Sequence, residues 1–136
     1  MADRTIRVGR VSRVNYETGM ISVTYPDLDG ATSAELSMLD FGGEYKMPKP
    51  GDNVAVACLS SDPSRGVVMG TYWNRGHNSR AFGRGYYRKE YAERPGESYM
   101  DYDPETKTLT IFAPNVTIKG NVNIIGSLKV NGTPVP

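Results

Sequence analysis

The sequence predicts an all-β protein, and three observations support that class. Its 136 residues include 15 glycines and 9 prolines, which divide the chain with frequent turns. Between the turns lie short runs rich in Val, Ile, Thr and Tyr, residue types that favour strands. Near the C-terminus, a pattern of six residues repeats three times and alternates apolar with polar positions. We therefore expect strands and turns throughout.

Residues 1–74 are predicted to form a small closed barrel. Turn sequences such as residues 15–19 and 48–52 separate segments that show strand alternation and no helical period. An irregularity is expected near Gly9. The five strands are predicted at residues 4–14, 20–25, 34–41, 53–59 and 66–73. Five strands in Greek-key order make the oligonucleotide/oligosaccharide-binding (OB) fold, and an SH3-like barrel is the alternative.

Residues 75–96 are predicted to be an extended linker, with a short helical turn near residues 88–93. Six cations and three tyrosines lie among its glycines. Arginine interleaved with tyrosine suits single-stranded nucleic acid, through stacking and phosphate contact, or a protein surface. The formal net charge of the chain is only +1, so we favour protein contact and expect no nucleic acid.

Residues 97–136 are predicted to form a β-hairpin, with strands at 98–102 and 108–112, followed by the repeat of residues 115–132. Positions two and four of each six-residue unit are apolar and point to one face, because side chains alternate along a strand. These positions hold Val116, Ile118, Val122, Ile124, Leu128 and Val130. Position six is always glycine, at Gly120, Gly126 and Gly132. Each glycine marks a corner, because glycine adopts positive φ without penalty.

The six apolar side chains of the repeat cannot be buried by one chain. Single-chain solenoids of this kind stack several coils, and this segment supplies one coil at most. Left in water, each side chain would forfeit about 1.5–3 kcal/mol. Three identical strips wound around one axis would cover one another and leave no free edge. We therefore expect an intertwined triple-stranded β-helix in a homotrimer. The alternative is a β-meander lying on the rest of the domain.

Patterns that would indicate catalysis or metal binding are nearly absent. The one histidine, His77, lies in a polar loop without a neighbouring acid or nucleophile and is expected to be a solvated loop residue. Asp101 and Asp103 could act as paired carboxylates, but they fit the outward face of the hairpin. The one cysteine, Cys58, lies in an apolar run and is expected to be a buried structural thiol. We expect no enzyme activity, no cofactor and no metal. The sequence shows neither a signal peptide nor an apolar run of ~18 residues, so we expect no membrane-crossing segment.

The order of barrel, linker, hairpin and glycine-punctuated repeat resembles the central spike of contractile injection machines. The resemblance is to the phage baseplate assembly protein V family and to its relatives in contractile bacteriocins and type VI secretion, where the relatives are valine-glycine repeat proteins. It spans nearly the whole chain and is carried by RVGRV at 7–11, MISVTYP at 20–26, PGDNVAV at 50–56, GVVMGTYWN at 66–74, and TLTI at 108–111 leading into APNVTIKG at 113–120.

The resemblance implies an OB domain that trimerises and docks on a baseplate hub at the tail tube. It also implies a β-helical needle that pierces the target cell envelope when the sheath contracts. Such a protein assembles in the bacterial cytoplasm and acts in a virion or an extracellular particle. Residues 75–96 are too few for the lysozyme domain that some relatives carry between barrel and needle.

Some relatives end in a His-x-His motif that binds iron at the apex, and the last residues here contain no histidine. Either Pro134, Val135 and Pro136 plug the apex of the needle, or a separate cap protein sits there. The alternative function is an OB-fold module for single-stranded nucleic acid that its C-terminal repeat oligomerises.

Overall fold

The computed structural model describes residues 5–59 and 62–136, which divide into two compact units, Met1–Asn78 and Ser79–Pro136. The first unit contains β1 (Ile6–Asn15), β2 (Met20–Tyr25), a 3-10 turn (Pro26–Leu28), β3 (Ala31–Thr32), β4 (Leu36–Met38), β5 (Asn53–Leu59) and β6 (Asp62–Thr71). The second contains β7 (Tyr87–Glu90), β8 (Tyr99–Asp103), β9 (Thr108–Phe112), β10 (Lys129–Val130) and β11 (Thr133–Pro134). The described ranges contain no α-helix, and none of their helical residues forms a segment able to cross a bilayer. The predicted all-β class is confirmed.

The first unit is a closed five-stranded barrel in which β1 pairs with two partners. The first half of β1 pairs with β5 and its second half with β2, and Arg10 has a register partner on each. The remaining pairings, β2 with β4, β4 with β6 and β6 with β5, complete the ring. Only β4 and β6 run parallel. This strand order is OB-like, as the sequence predicts.

Each of the five predicted strands is present, but several limits differ. The strand predicted at residues 34–41 is only Leu36–Met38, the strand predicted to end at residue 73 ends at Thr71, and β3 is not among the predicted strands. The irregularity predicted near Gly9 lies instead at Ser12, where the register of β1 against β2 shifts. Gly9 is required for a different reason, because β1 approaches β2 closely at this residue. A Cβ on Gly9 would collide with the Val23 side chain and lie 2.9 Å from the Thr24 carbonyl oxygen. The last barrel strand begins at Asp62, four residues before the predicted start.

The barrel interior is the only fully buried core among the described residues. Its members are Val11, Ile21, Val23, Tyr25, Leu36, Val54, Val56, Cys58 and Val68. The expected burial of Cys58 is therefore confirmed. Burial, together with the neighbouring Cys58 thiol, raises the pKa of Tyr25 to about 12. By contrast, no residue of Ser79–Pro136 is fully buried.

The second unit begins with an antiparallel three-stranded sheet in the order β7-β8-β9. The predicted hairpin is confirmed as β8 and β9, but the helical turn predicted near residues 88–93 is wrong, because residues 87–90 form β7. Arg, Lys and Glu favour helices locally, and cross-strand contacts outweigh that preference here. The Arg88 guanidinium donates to Asp101 Oδ2 on β8 at 2.9 Å and lies 3.6 Å from the centre of the Tyr99 ring.

A second ion pair lies within β7, and its carboxylate also holds the loop that follows this strand. Arg88 Nε donates to Glu90 Oε2 at 2.9 Å, and Glu90 Oε1 accepts a hydrogen bond from the Gly96 backbone N–H at 2.8 Å. Burial disfavours the charged form of Glu90, but the Gly96 N–H and Arg88 outweigh it and hold the pKa of Glu90 below its ordinary value.

We expect Gly9→Ala to lower the free energy of unfolding by about 1–3 kcal/mol, because the added methyl group is forced against β2. Chemical denaturation monitored by circular dichroism measures the change. Gly76→Ala is the matched control, since its Cβ would lie 3.5 Å from Asn74 Oδ1, an ordinary contact. A Gly9→Ala variant as stable as the parent would contradict the close approach of β1 and β2.

We expect the barrel to lose stability as pH rises from 10 to about 12, because the folded state holds the Tyr25 proton more tightly than the unfolded state does. The stabilisation is complete below pH 10 and falls by roughly 1.4 kcal/mol per pH unit across this window. Denaturation of the parent and of Tyr25→Phe at each pH isolates the contribution. Parallel pH profiles of the two proteins would contradict it.

Candidate assembly site

The candidate site is the apolar strip, defined as the six side chains at positions two and four of the repeat. Its members are Val116, Ile118, Val122, Ile124, Leu128 and Val130. The strip starts after β9 and continues into β10, and residues 113–128 between these strands belong to no strand. Residues 115–127 make no backbone–backbone hydrogen bond to another described residue. One chain therefore leaves the backbone of this segment unpaired.

The side chains of the apolar strip are also uncovered. Their exposed fractions range from 42 % at Leu128 to 71 % at Ile118. Scattered exposed apolar residues are ordinary on a protein surface, but a contiguous row marks a surface that another molecule covers. The strip offers no hydrogen-bonding or titratable group, so the chemistry available to it is apolar packing.

Two of the predicted corner glycines share one backbone conformation. Gly120 and Gly126 have φ of 132° and 133°, in a region that other residues rarely adopt. The repeat in sequence is thus accompanied by a repeat of φ at these two glycines. An added Cβ at either glycine would have no atom within 4 Å. The glycines are therefore required by backbone conformation and not by crowding within the chain.

The third glycine, Gly132, lies in a different structure. Asn131 (φ 50°) and Gly132 (φ 78°) form the two-residue turn of a hairpin that joins β10 to β11. Positive φ at both residues is typical of a type I′ turn, for which Asn-Gly is the preferred sequence. The Asn-Gly pair is the sequence signal for this hairpin, which the predicted corner at Gly132 does not include.

The residues predicted to plug the apex follow this turn. Pro134 lies in β11 opposite Lys129, and the Val135 N–H donates to the Leu128 carbonyl oxygen at 2.8 Å. The chain therefore turns back along its third six-residue unit. Val135 is 45 % exposed, and Pro136 is also exposed.

The other residues considered as sites have structural partners. The ring of His77 stacks on that of Trp73, with centroids 4.7 Å apart, and its backbone exchanges two hydrogen bonds with Asn74. Asp101 is paired with Arg88, and Asp103 Oδ1 accepts from the Glu105 N–H. Within residues 5–59 and 62–136, no three His, Cys, Asp or Glu side chains are grouped as metal ligands.

No protein-family model matches this chain, and no curated protein matches it. The role of the apolar strip is therefore inferred from its geometry and from the order of the structural elements.

We expect Gly126→Ala to lower the thermal unfolding midpoint, because alanine at φ 133° is strained by about 1–3 kcal/mol. Differential scanning calorimetry measures the shift. Asn123→Ala is the control, because it alters an exposed side chain of the same six-residue unit without a positive φ. Equal midpoints for Gly126→Ala and the parent would show that the corner conformation is not required.

Proposed function

We propose that this protein is the homotrimeric central spike of a contractile injection particle, a phage tail or a contractile bacteriocin, and that it pierces the target envelope mechanically. The observation that carries the proposal is the apolar strip, which one chain leaves uncovered and in which Gly120 and Gly126 have the same positive φ. The OB-like barrel that precedes it agrees with the order of elements in the baseplate assembly protein V family.

Three copies would cover the exposed side chains of the apolar strip and also supply partners for its backbone. Strips wound around a common axis would turn their apolar faces towards one another and remove them from water. The unpaired N–H and C=O groups of residues 115–127 would find partners on the neighbouring copies, as backbone groups in a protein interior require. A closed arrangement of this kind also leaves no free strand edge.

A spike of this kind needs stiffness and no catalytic group. Interlocked strands from three chains separate only when many contacts break together, so the needle would unfold slowly under load. In the proposed particle the barrel docks on the baseplate hub at the tail tube. Either residues 134–136 or a separate cap protein would close the tip. The protein would assemble in the bacterial cytoplasm and act from a virion or an extracellular particle.

Neighbouring isoleucines provide a sharp test of the trimer. Ile124 belongs to the apolar strip, whereas Ile125 is 94 % exposed and occupies the next position of the same unit. We expect Ile124→Asp to abolish the trimer, because three carboxylates would meet in a dry core. We expect Ile125→Asp to leave the trimer intact. Sedimentation velocity gives the mass of each variant, and circular dichroism shows whether it is folded.

Two results would contradict the proposal. A trimer formed by Ile124→Asp would show that Ile124 does not line the axis. A parent protein that is well folded and monomeric at high dilution would contradict the proposed needle and therefore the proposed piercing function.

A further inference from the structure

The three-stranded sheet of the second unit has two unlike faces, because side chains alternate along each strand. The register places Arg88 opposite Asp101, and Glu90 projects to the same side of the sheet. We call this side the ion-pair face. The opposite side, which we call the apolar face, carries Tyr87, Met100, Tyr102, Leu109 and Ile111.

The charged side chains of the ion-pair face are covered by their own chain. The side chains of Arg88, Glu90 and Asp101 are only 12 %, 18 % and 16 % exposed. The hydrogen bond from the Gly96 N–H to Glu90 ties the loop after β7 over this side of the sheet. The charges of this face are paired within the chain, and Phe112 on β9 is its exposed apolar side chain, at 47 %.

The apolar face is uncovered where it reaches β9. One row across the sheet joins Tyr87, Tyr102 and Leu109, and the next joins Lys89, Met100 and Ile111. Leu109 and Ile111 are 58 % and 60 % exposed. The charged residue of these rows, Lys89, lies on β7, the edge farthest from β9. An apolar surface therefore lies at the strand that leads directly into the repeat.

We propose that this apolar face packs against the same sheets of two sister copies, so that the trimer interface begins in the three-stranded sheet and not at residue 115. This inference rests on the proposed homotrimer. The chain length between the two surfaces identifies the partner. Val116 is five residues after Ile111 in the chain, so their Cα atoms are at most about 18 Å apart. If Val116 of each copy lies at the axis, β9 of each copy lies close to it as well.

The apolar face, and not the ion-pair face, is the one that turns inward. Residues 113–115 belong to no strand and the chain bends at Pro114, so the alternation of β9 is not carried into the repeat. Turning the other face inward would bring three sets of Arg88, Glu90 and Asp101 together and would place the loop after β7 at the axis. Turning the apolar face inward removes Leu109 and Ile111 from water instead, two exposed apolar side chains of β9 against the one, Phe112, on the ion-pair face.

Thiol labelling tests the inference in the full-length chain. Ile111→Cys places a thiol on the apolar face, and Thr110→Cys places one on the opposite face as the matched control. The parent supplies the background rate, since its one thiol, Cys58, is buried. Each variant is labelled with a polar maleimide as the trimer and again in the Ile124→Asp background, where the trimer is expected to be lost.

We expect the introduced thiol of Ile111→Cys to react at least about tenfold more slowly in the trimer than in the Ile124→Asp background, and the Thr110→Cys rate to change by less than about twofold. Leu109→Cys repeats the measurement should Ile111→Cys fail to assemble. A trimeric parent with a fast-reacting thiol at position 111 overturns this inference and leaves the proposed spike standing. Protection that persists in the monomer, or that occurs at position 110 instead, also overturns it. A monomeric parent overturns both.

Discussion

Apolar side chains that alternate along a strand must be covered on the face to which they point, and this requirement is met differently in the two units of the chain. In the first unit β1 pairs with both β2 and β5, so the sheet closes on itself and encloses its own core. In the second unit no residue is fully buried, although positions two and four of its repeat are apolar in every six-residue unit. The uncovered strip is the feature on which the proposed trimer depends.

The two units also differ in what their glycines do. In the barrel, Gly9 allows β1 to approach β2 more closely than any side chain would permit. In the repeat, Gly120 and Gly126 have open space around them and are distinguished only by their shared positive φ. Close packing within one chain explains the first position. Backbone conformation explains the other two, because their φ lies in a region that favours glycine.

The three-stranded sheet lies between the barrel and the repeat in the chain, and its two faces differ in the same way as those two parts do. Its ion-pair face resembles the outer surface of a folded domain, with Arg88 held by two carboxylates and a tyrosine ring. Its other face continues the exposed apolar character of the repeat. A trimer in which both surfaces meet at one axis would give the proposed spike a longer dry interior than the repeat provides alone. The added length would increase the stiffness that a piercing device needs.

The sequence by itself determined the features that depend on neighbours along the chain. These include β2 and β5 with their observed limits, the β8–β9 hairpin, and the alternation that defines the apolar strip. Strand alternation and turn residues are local, so they can be recognised without knowledge of the fold.

Only the tertiary structure decided features that depend on residues distant in sequence. The closure of the barrel requires Arg10 to have partners on two strands, and β7 forms because Arg88 meets Asp101, thirteen residues away. The irregularity in β1 lies at Ser12 and not at Gly9, because the position of a bulge depends on the register against β2. A local pattern records which residues favour a strand. The partner across the sheet, which the pattern does not contain, decides whether and where that strand forms.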